Sequence, residues 1–337
     1  MKIRAFISGC AGLELSLEER SFFAEMQPWG LILFKRNVDS PAQVKALTAA
    51  FRASVGREDA PVLIDQEGGR VQRMGPPHWP AYAAAATFNA LPSNDIFHKR
   101  ELVRLSARLM AHDLREVGIT VDCLPVLDVP IPGSSNVIGN RAYAQDPETV
   151  AVLGRAAAEG MMAGGVLPVM KHIPGHGRAF ADSHLELPVV QTEADALFAH
   201  DFKPFMINAD LAAAMTAHVV YTAFDAKNPG TVSRKVIQTH IRGTIGFDGL
   251  LISDDLSMKA LGGTFQQKVK RALRAGCDVV LHCNGVMDEM RAVAEAAPRL
   301  NKDAVRRIKT AMAATCHAPE PLDVVDARAR LQSALAQ

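Results

Sequence analysis

The sequence predicts an α/β fold of the (β/α)8, TIM-type barrel class, and three observations carry that prediction. Eight short apolar runs, at 3–7, 30–34, 61–64, 119–123, 166–170, 213–216, 250–252 and 278–281, alternate with helix-like segments. Each run is near-continuous in apolar residues rather than alternating, as strands covered on both faces must be. Polar groups gather just after the runs: Asp65-Gln66-Glu67, Asp128, Lys171-His172, His218, Asp254-Asp255 and His282. In a closed barrel those strand ends share one rim. The phosphate-loop and dinucleotide-binding glycine patterns are absent, which removes the commonest reasons to prefer an open, doubly wound sheet.

The intervening segments read as helices in chain order. Positions 16–26 follow Leu13 in apolar spacing. Ser40-Pro41 with Gln43 gives a cap, a first-turn proline and a capping-box glutamine. The stretch 96–117 carries Leu102, Leu105, Leu109 and Leu114 at helical spacing and stops at Gly118. Asp146-Pro147 opens a helix to Ala163, Thr192 with Asp195 opens another, and 286–296 and 302–314 close the series. The alanine-rich stretch 81–86 fits either a rim loop or a helix start. No linker or low-complexity block interrupts the chain, so 1–337 is expected to be one catalytic barrel domain with a helical tail from about 301.

Composition narrows the function. The 337 residues are 48% apolar and 22% charged with a formal net charge of +1, which argues against disorder and against a global attraction to nucleic acid or membrane. Five widely spaced cysteines without a CxxC favour reduced thiols over a disulfide scaffold. No apolar run is long enough for a membrane span and the N-terminus lacks a secretory core. A cytoplasmic monomer acting on a small molecule is expected.

The densest chemistry lies in Lys171-His172-Ile173-Pro174-Gly175-His176-Gly177, followed by Arg178 and Asp182-Ser183-His184. Asp182, two residues from His184, can orient that imidazole to give and take a proton. In Asp65-Gln66-Glu67-Gly68-Gly69-Arg70-Val71-Gln72-Arg73, Asp65 suits vicinal hydroxyls and Arg73 adds a forked donor, while Glu67 and Arg70 are expected to form a structural ion pair. Arg141 is the one fixed fork in the long loop after Asp128. Asp254 and Asp255 follow a buried run directly; in an extended strand only one can enter the barrel mouth, and Asp254, nearest the strand end, is the candidate nucleophile. Three other readings stand beside this one. A metal site would draw on His172, His176, His184, His218 or His282 with Asp254, but Pro174 and Gly175 break the helix that HxxxH spacing needs, and Lys171 would repel a cation. Lys171 alone would suit a Schiff base, as in an aldolase. A non-enzymatic barrel binding a partner through its rim is the third.

Together the stretches DQEGGRV, NVIGNRAY, KHIPGHG, DSH and SDDLSM, in that order over positions 6–285, make the sequence resemble the bacterial β-N-acetylhexosaminidases of glycoside hydrolase family 3 that act in peptidoglycan recycling. The resemblance implies Asp254 as nucleophile, His184 with Asp182 as acid/base, and Asp65, Arg73, Arg141, Lys171 and His172 as binders of the sugar cleaved. It implies no cofactor and no metal. The family usually carries phenylalanine where this chain has Ile173 and Tyr143. The reaction implied is double displacement with retention, releasing terminal N-acetylglucosamine from its β-1,4 link to 1,6-anhydro-N-acetylmuramic acid, with or without peptide. Nothing in the residue pattern itself separates N-acetylglucosamine from glucose.

Overall fold

The computed structural model describes residues 2–181, 183 and 186–336. Its main sheet is all parallel, and its two edge segments, Leu167–Pro168 and Met170–Ile173, are consecutive pieces of one strand interrupted at Val169. The sheet therefore closes on itself. We number its eight strands β1 (Arg4–Ser8), β2 (Pro28–Leu33), β3 (Val62–Ile64), β4 (Val121–Asp122), β5 (both pieces), β6 (Ala213–Thr216), β7 (Leu250–Asp255) and β8 (Val279–His282). Every neighbour pair follows chain order, and β8 returns to β1 through Phe6↔Val280 and Ile7↔Leu281. Each predicted apolar run became a strand.

Side chains along these strands alternate between two cores, as the two-residue period of a strand requires. Ile7, Ile32, Leu63, Val169, Met215, Ile252 and Leu281 fill the barrel interior. Their neighbours Phe6, Leu31, Ile64, Met170, Ala214, Leu251 and Val280 pack outward under the helices. Continuing the inward parity toward the C-terminal end of these strands reaches Phe34, Asp65, Lys171, Asp254 and Cys283, and all five line one cavity.

The helices begin largely where the sequence places its caps. Ser16 Oγ accepts the Glu19 amide at 3.1 Å while Glu19 Oε2 accepts the Ser16 amide at 2.8 Å, a reciprocal box that starts Leu17–Met26. Asp146 caps Pro147–Ala163 by accepting the Thr149 amide. Two expectations need correction. Pro41–Val55 follows Ser40, but Gln43 accepts the Asp39 amide at 2.9 Å and donates to the Leu13 carbonyl, so no capping box forms on Ser40. The expected start at Thr192 is instead at Glu193, and three short helical pieces follow, Ala194–Ala196, Leu197–Asp201 and Lys203–Ile207. In the alanine-rich stretch a helix starts at Ala85.

The chain after Lys302–Ala313 forms a last helix, Val324–Leu335, which buries Ala327 and Leu331 against the long helix Ile96–Glu116. A polar clamp holds it there: Asp113 accepts from the Tyr82 hydroxyl and from Arg328, each at 2.6 Å. All five cysteines are free. Among the described residues no helix is long and apolar enough to cross a membrane.

Candidate active site

The cavity at the C-terminal rim has a volume of about 250 Å³. Asp65, one residue beyond β3, is followed by a tight hairpin in which Gln66–Gly68 pairs antiparallel with Val71–Gln72. Gly68 and Gly69 turn it with φ of 88° and 56°, and a Cβ at Gly68 would sit 2.3 Å from the Ala83 carbonyl oxygen, so glycine is required there. The hairpin folds Arg73 back to donate to Asp65 Oδ2 at 3.0 Å. The other oxygen, Oδ1, accepts from Lys171 Nζ at 2.8 Å.

Lys171 sits at the centre of this side. Only 2% exposed, its ammonium also pairs with Glu67 at 2.6 Å. Glu67 in turn holds Arg141 in a two-pronged pair, Nε and a terminal nitrogen each donating at 2.8 Å. The expected Glu67–Arg70 pair does not form. Arg70 instead donates to the Asn136, Val137 and Ile138 carbonyls and pins the long loop that carries Arg141. Burial alone would raise the Asp65 and Glu67 carboxyls, but Lys171 with Arg73 or Arg141 outweighs it and holds both below the usual range. Burial would lower Lys171, and the two carboxylates reverse that, keeping the ammonium charged. A lysine fixed as a cation is a hydrogen-bond donor and a poor amine nucleophile, which removes the Schiff-base reading.

His172 is set by Asp128, whose Oδ2 lies 2.7 Å from its Nδ1. The same carboxylate accepts the His176 amide at 2.6 Å, so one buried aspartate orients both residues. Asp128 was visible as a rim carboxylate but not as the organiser of this loop. Gly177 lies flush on the Val129 main chain, where a Cβ would fall 2.2 Å from the carbonyl oxygen. Further on, Arg178 pairs with Asp201, Tyr221 donates to the Gly175 carbonyl at 2.7 Å, and Ser135 donates its amide to Ala179. Ser183 borders the cavity and faces His176 Nε2 at 3.0 Å. The chain returns as Val189–Val190, paired with Val220–Tyr221. Asp182 and His184 lie outside the described residues.

Asp254 ends the inward parity of β7, as expected, and lines the same cavity. Its Oδ1 accepts the Asp255 amide at 2.8 Å. Asp255 also borders the cavity, but its carboxylate takes the Ser257 and Cys283 amides at 3.0 and 3.1 Å and the Ser257 hydroxyl, tying the loop after β7 to the end of β8. His218 and His282 face outward, His282 edge-on to Phe265 at 5.1 Å, so neither converges with Asp254 from inside the barrel. No cluster of three or more metal-type ligands occurs among the described residues. Phe34 is the apolar member missed in the sequence; it supports Arg73, whose guanidinium lies 5.2 Å from its ring centre.

A closed barrel with a paired Asp–Lys–Arg cluster and a separate strand-end aspartate in one cavity is a frame for handling a polyhydroxylated ring. Residues 7–312 match the glycosyl hydrolase family 3 N terminal domain. The chain belongs to that family. Among its relatives is the Beta-hexosaminidase of Methylococcus capsulatus, 41% identical over 282 residues that cover 81% of this chain and 80% of that protein. The structure of NagZ from Neisseria gonorrhoeae in complex with N-trifluoroacetyl-D-glucosamine is similar with a TM-score of 0.84 at 32% identity, covering 100% of this chain and 97% of that one. A family 3 beta-N-acetylglucosaminidase from Paenibacillus sp. is similar with a TM-score of 0.85 at 30% identity, over 98% of this chain and 67% of that one. The cavity lies at the C-terminal rim, the end of such barrels where active sites are found.

Proposed function

We propose that this chain is a retaining β-N-acetylhexosaminidase that removes terminal, non-reducing N-acetylglucosamine from peptidoglycan fragments, the sugar being β-1,4-linked to 1,6-anhydro-N-acetylmuramic acid with or without its peptide. The observation that carries this reading is the shared cavity: Asp254 reaches it from β7, and the Lys171–Asp65–Arg73 cluster reaches it from β3 and β5. In the first step an Asp254 carboxylate oxygen forms a bond to the anomeric carbon while the bond to the leaving oxygen breaks and takes a proton from His184. In the second, water gives a proton to His184 and its oxygen displaces Asp254, releasing the sugar with its original configuration.

Asp65 keeps lone pairs for sugar hydroxyls after accepting from Lys171 and Arg73, and Lys171 keeps one N–H beyond its two carboxylate partners. Arg141 uses three donors on Glu67 and the Val137 carbonyl and retains two. These donors and acceptors, with His172, form the proposed sugar subsite. For His184 as acid/base, oriented by Asp182, the support is that Ser183 between them in sequence borders the cavity, and that the chain on either side is anchored to the barrel wall.

Hydrolysis of aryl β-N-acetylglucosaminide, β-glucoside and β-xyloside checks the assignment. Turnover is expected only for the first, and comparable turnover of the glucoside removes the acetamido specificity. His184→Ala should cost about a thousandfold on an unactivated disaccharide and much less on a nitrophenyl glycoside, since only the former leaving group needs protonation. An equal loss on both would exclude the acid role.

A further inference from the structure

Beyond the last register pair of β6 and β7, Met215↔Ile252, the main chain at Asp254 is held by side chains. The Asp254 amide donates to Thr216 Oγ1 at 3.3 Å. Thr216 Oγ1 lies 2.8 Å from Thr231 Oγ1, and Thr231 Oγ1 lies 2.7 Å from His218 Nδ1. His218 Nε2 lies 3.0 Å from the carbonyl oxygen of Asp255. The path thus leaves the chain at the amide of one aspartate and returns at the carbonyl of the next. Thr216, His218 and Thr231 are fully buried on the outer face of the barrel, under the helices and away from the cavity.

Chemistry fixes the direction of every proton in this path. A carbonyl only accepts, so Nε2 of His218 carries hydrogen. Burial lowers the His218 pKa, although Asp254 and Asp255 oppose it, so the ring is neutral near pH 7 and Nδ1 is a bare acceptor. The Thr231 hydroxyl faces it and donates. Ala217 O is the competing acceptor at 3.1 Å, but it already receives the Thr231 main-chain amide, and the imidazole is closer. With its proton committed, Thr231 Oγ1 accepts from Thr216, and Thr216 Oγ1 accepts from Asp254. No link lacks a proton and none has one too many, the condition under which a buried network is rigid.

We propose that Thr216, Thr231 and His218 form an uncharged strap that ties together the two peptide groups flanking the Asp254–Asp255 peptide unit, and through them positions the Asp254 carboxylate for attack. This rests on the reading of Asp254 as nucleophile. The linkage is short: the Asp255 amide donates to Asp254 Oδ1, so the orientation of that peptide plane sets the rotation of the carboxylate. The far side is fixed by the Asp255 carboxylate on the Ser257 and Cys283 amides. The three are positioning residues, since none lines the cavity.

Full-length Thr231→Val, which keeps the shape and removes the hydroxyl, is compared with Thr231→Ser, which keeps the hydroxyl. On an aryl N-acetyl-β-glucosaminide, kcat/KM of the valine variant should fall roughly ten- to hundredfold, the worth of a broken buried hydrogen-bond link. Calorimetric Kd for N-acetylglucosamine should stay within about twofold, because ground-state binding does not use the strap. Serine should restore most of the loss. Wild-type kcat/KM in the valine variant, equal damage from valine and serine, or a Kd that weakens as much as kcat/KM would each overturn the strap. Should the valine variant not fold, nitrogen NMR of isotope-labelled histidine in the wild type decides: a neutral Nε2–H tautomer at His218 supports the path, and an Nδ1–H tautomer or an imidazolium at pH 7 refutes it. Asp254→Ala is assayed alongside. If it retains turnover the nucleophile reading fails, whereas an inactive Asp254→Ala beside a fully active Thr231→Val sinks only the strap.

Discussion

On the side of the cavity built from β3 and β5, five charged side chains meet: Lys171 lies between Asp65 and Glu67, and Arg73 and Arg141 complete the pairs. On the β6–β7 side, the main chain of Asp254 is held by the Thr216 and Ser253 hydroxyls, and Thr216 is backed by the Thr231 hydroxyl and the His218 imidazole. Both arrangements are buried and richly hydrogen-bonded, so the difference is one of purpose. Ions pinned against ions give stiff donors and acceptors, as the proposed sugar subsite needs, because each partner fixes the other's rotamer. Ion pairs between side chains hold the β3–β5 side, whereas on the β6–β7 side hydroxyls, an imidazole and the Asp255 carboxylate act on main-chain groups.

The largest effect expected from testing this contrast is on Asp254. Asp254→Ala should lower kcat on an aryl N-acetyl-β-glucosaminide by roughly 10⁴-fold with an unchanged thermal midpoint. Activity near wild type would place the nucleophile elsewhere. On the charged side the order of effects should reverse, with stability suffering most. Lys171→Met leaves two buried carboxylates facing each other with one cation fewer, and should cost about 3–5 kcal/mol in urea unfolding. A loss well under 1 kcal/mol would mean that the cluster is not interdependent.

How much of this was legible in the sequence follows from the strand period. Asp65, Lys171 and Asp254 each stand an even number of residues after an inward apolar side chain, Leu63, Val169 and Ile252, so near-continuous runs ending in a charged residue already point that residue into the mouth. Asp255 does not follow simple alternation: the β7–β8 register shifts between Ile252 and Asp255, and Asp255 borders the cavity too while its carboxylate is taken up by the Ser257 and Cys283 amides. What the run pattern does not encode is the partner brought from afar. Arg141 meets a carboxylate 74 positions earlier in the chain, and only the hairpin at Gly68-Gly69 makes Glu67, rather than a surface residue, that partner. Local spacing favours Arg70 as the partner of Glu67, and the fold supplies the distant Arg141 instead. Thr231 is a further case, reaching Thr216 from the short 3-10 turn Gly230–Val232.

Between the two sides lies His176, and its effect should be intermediate and confined to a pH window. Burial drops its pKa from the ordinary 6.5 to about 4, with Asp128 opposing and His172 assisting. The folded state therefore binds fewer protons than the unfolded state between those values, so stability is full above pH 6.5 and is lost as pH falls toward 4. Between pH 7 and 5 this one group should remove about 2 kcal/mol. His218, His240 and His282 are lowered too and act with the same sign, so the informative quantity is the difference between wild type and His176→Gln in urea unfolding at the two pH values. The depressed carboxyls Asp65, Glu67 and Asp128 act mostly below this window, since their contribution is lost as pH falls below the ordinary carboxyl range. An identical pH slope in the variant would show that His176 is protonated as readily folded as unfolded.

The smallest effect should come from the clamp on the tail helix, which resembles the cavity's ionic side in chemistry but serves no ligand. Asp113 accepts from Tyr82 and Arg328 and so ties Val324–Leu335 to the long helix Ile96–Glu116. Burial and the Asp113 carboxylate push the Tyr82 hydroxyl well above its ordinary pKa, so it stays a donor across the working pH range. Tyr82→Phe removes the donor to Asp113 Oδ2 while Arg328 still pairs with Oδ1, and the cost should be about 1 kcal/mol. Because the clamp lies on the outer helix layer, kcat and KM should not change. A variant that lost activity in proportion to stability would mean that the tail is coupled to the cavity, and the line drawn between ions that hold the fold and ions that hold the sugar would have to move.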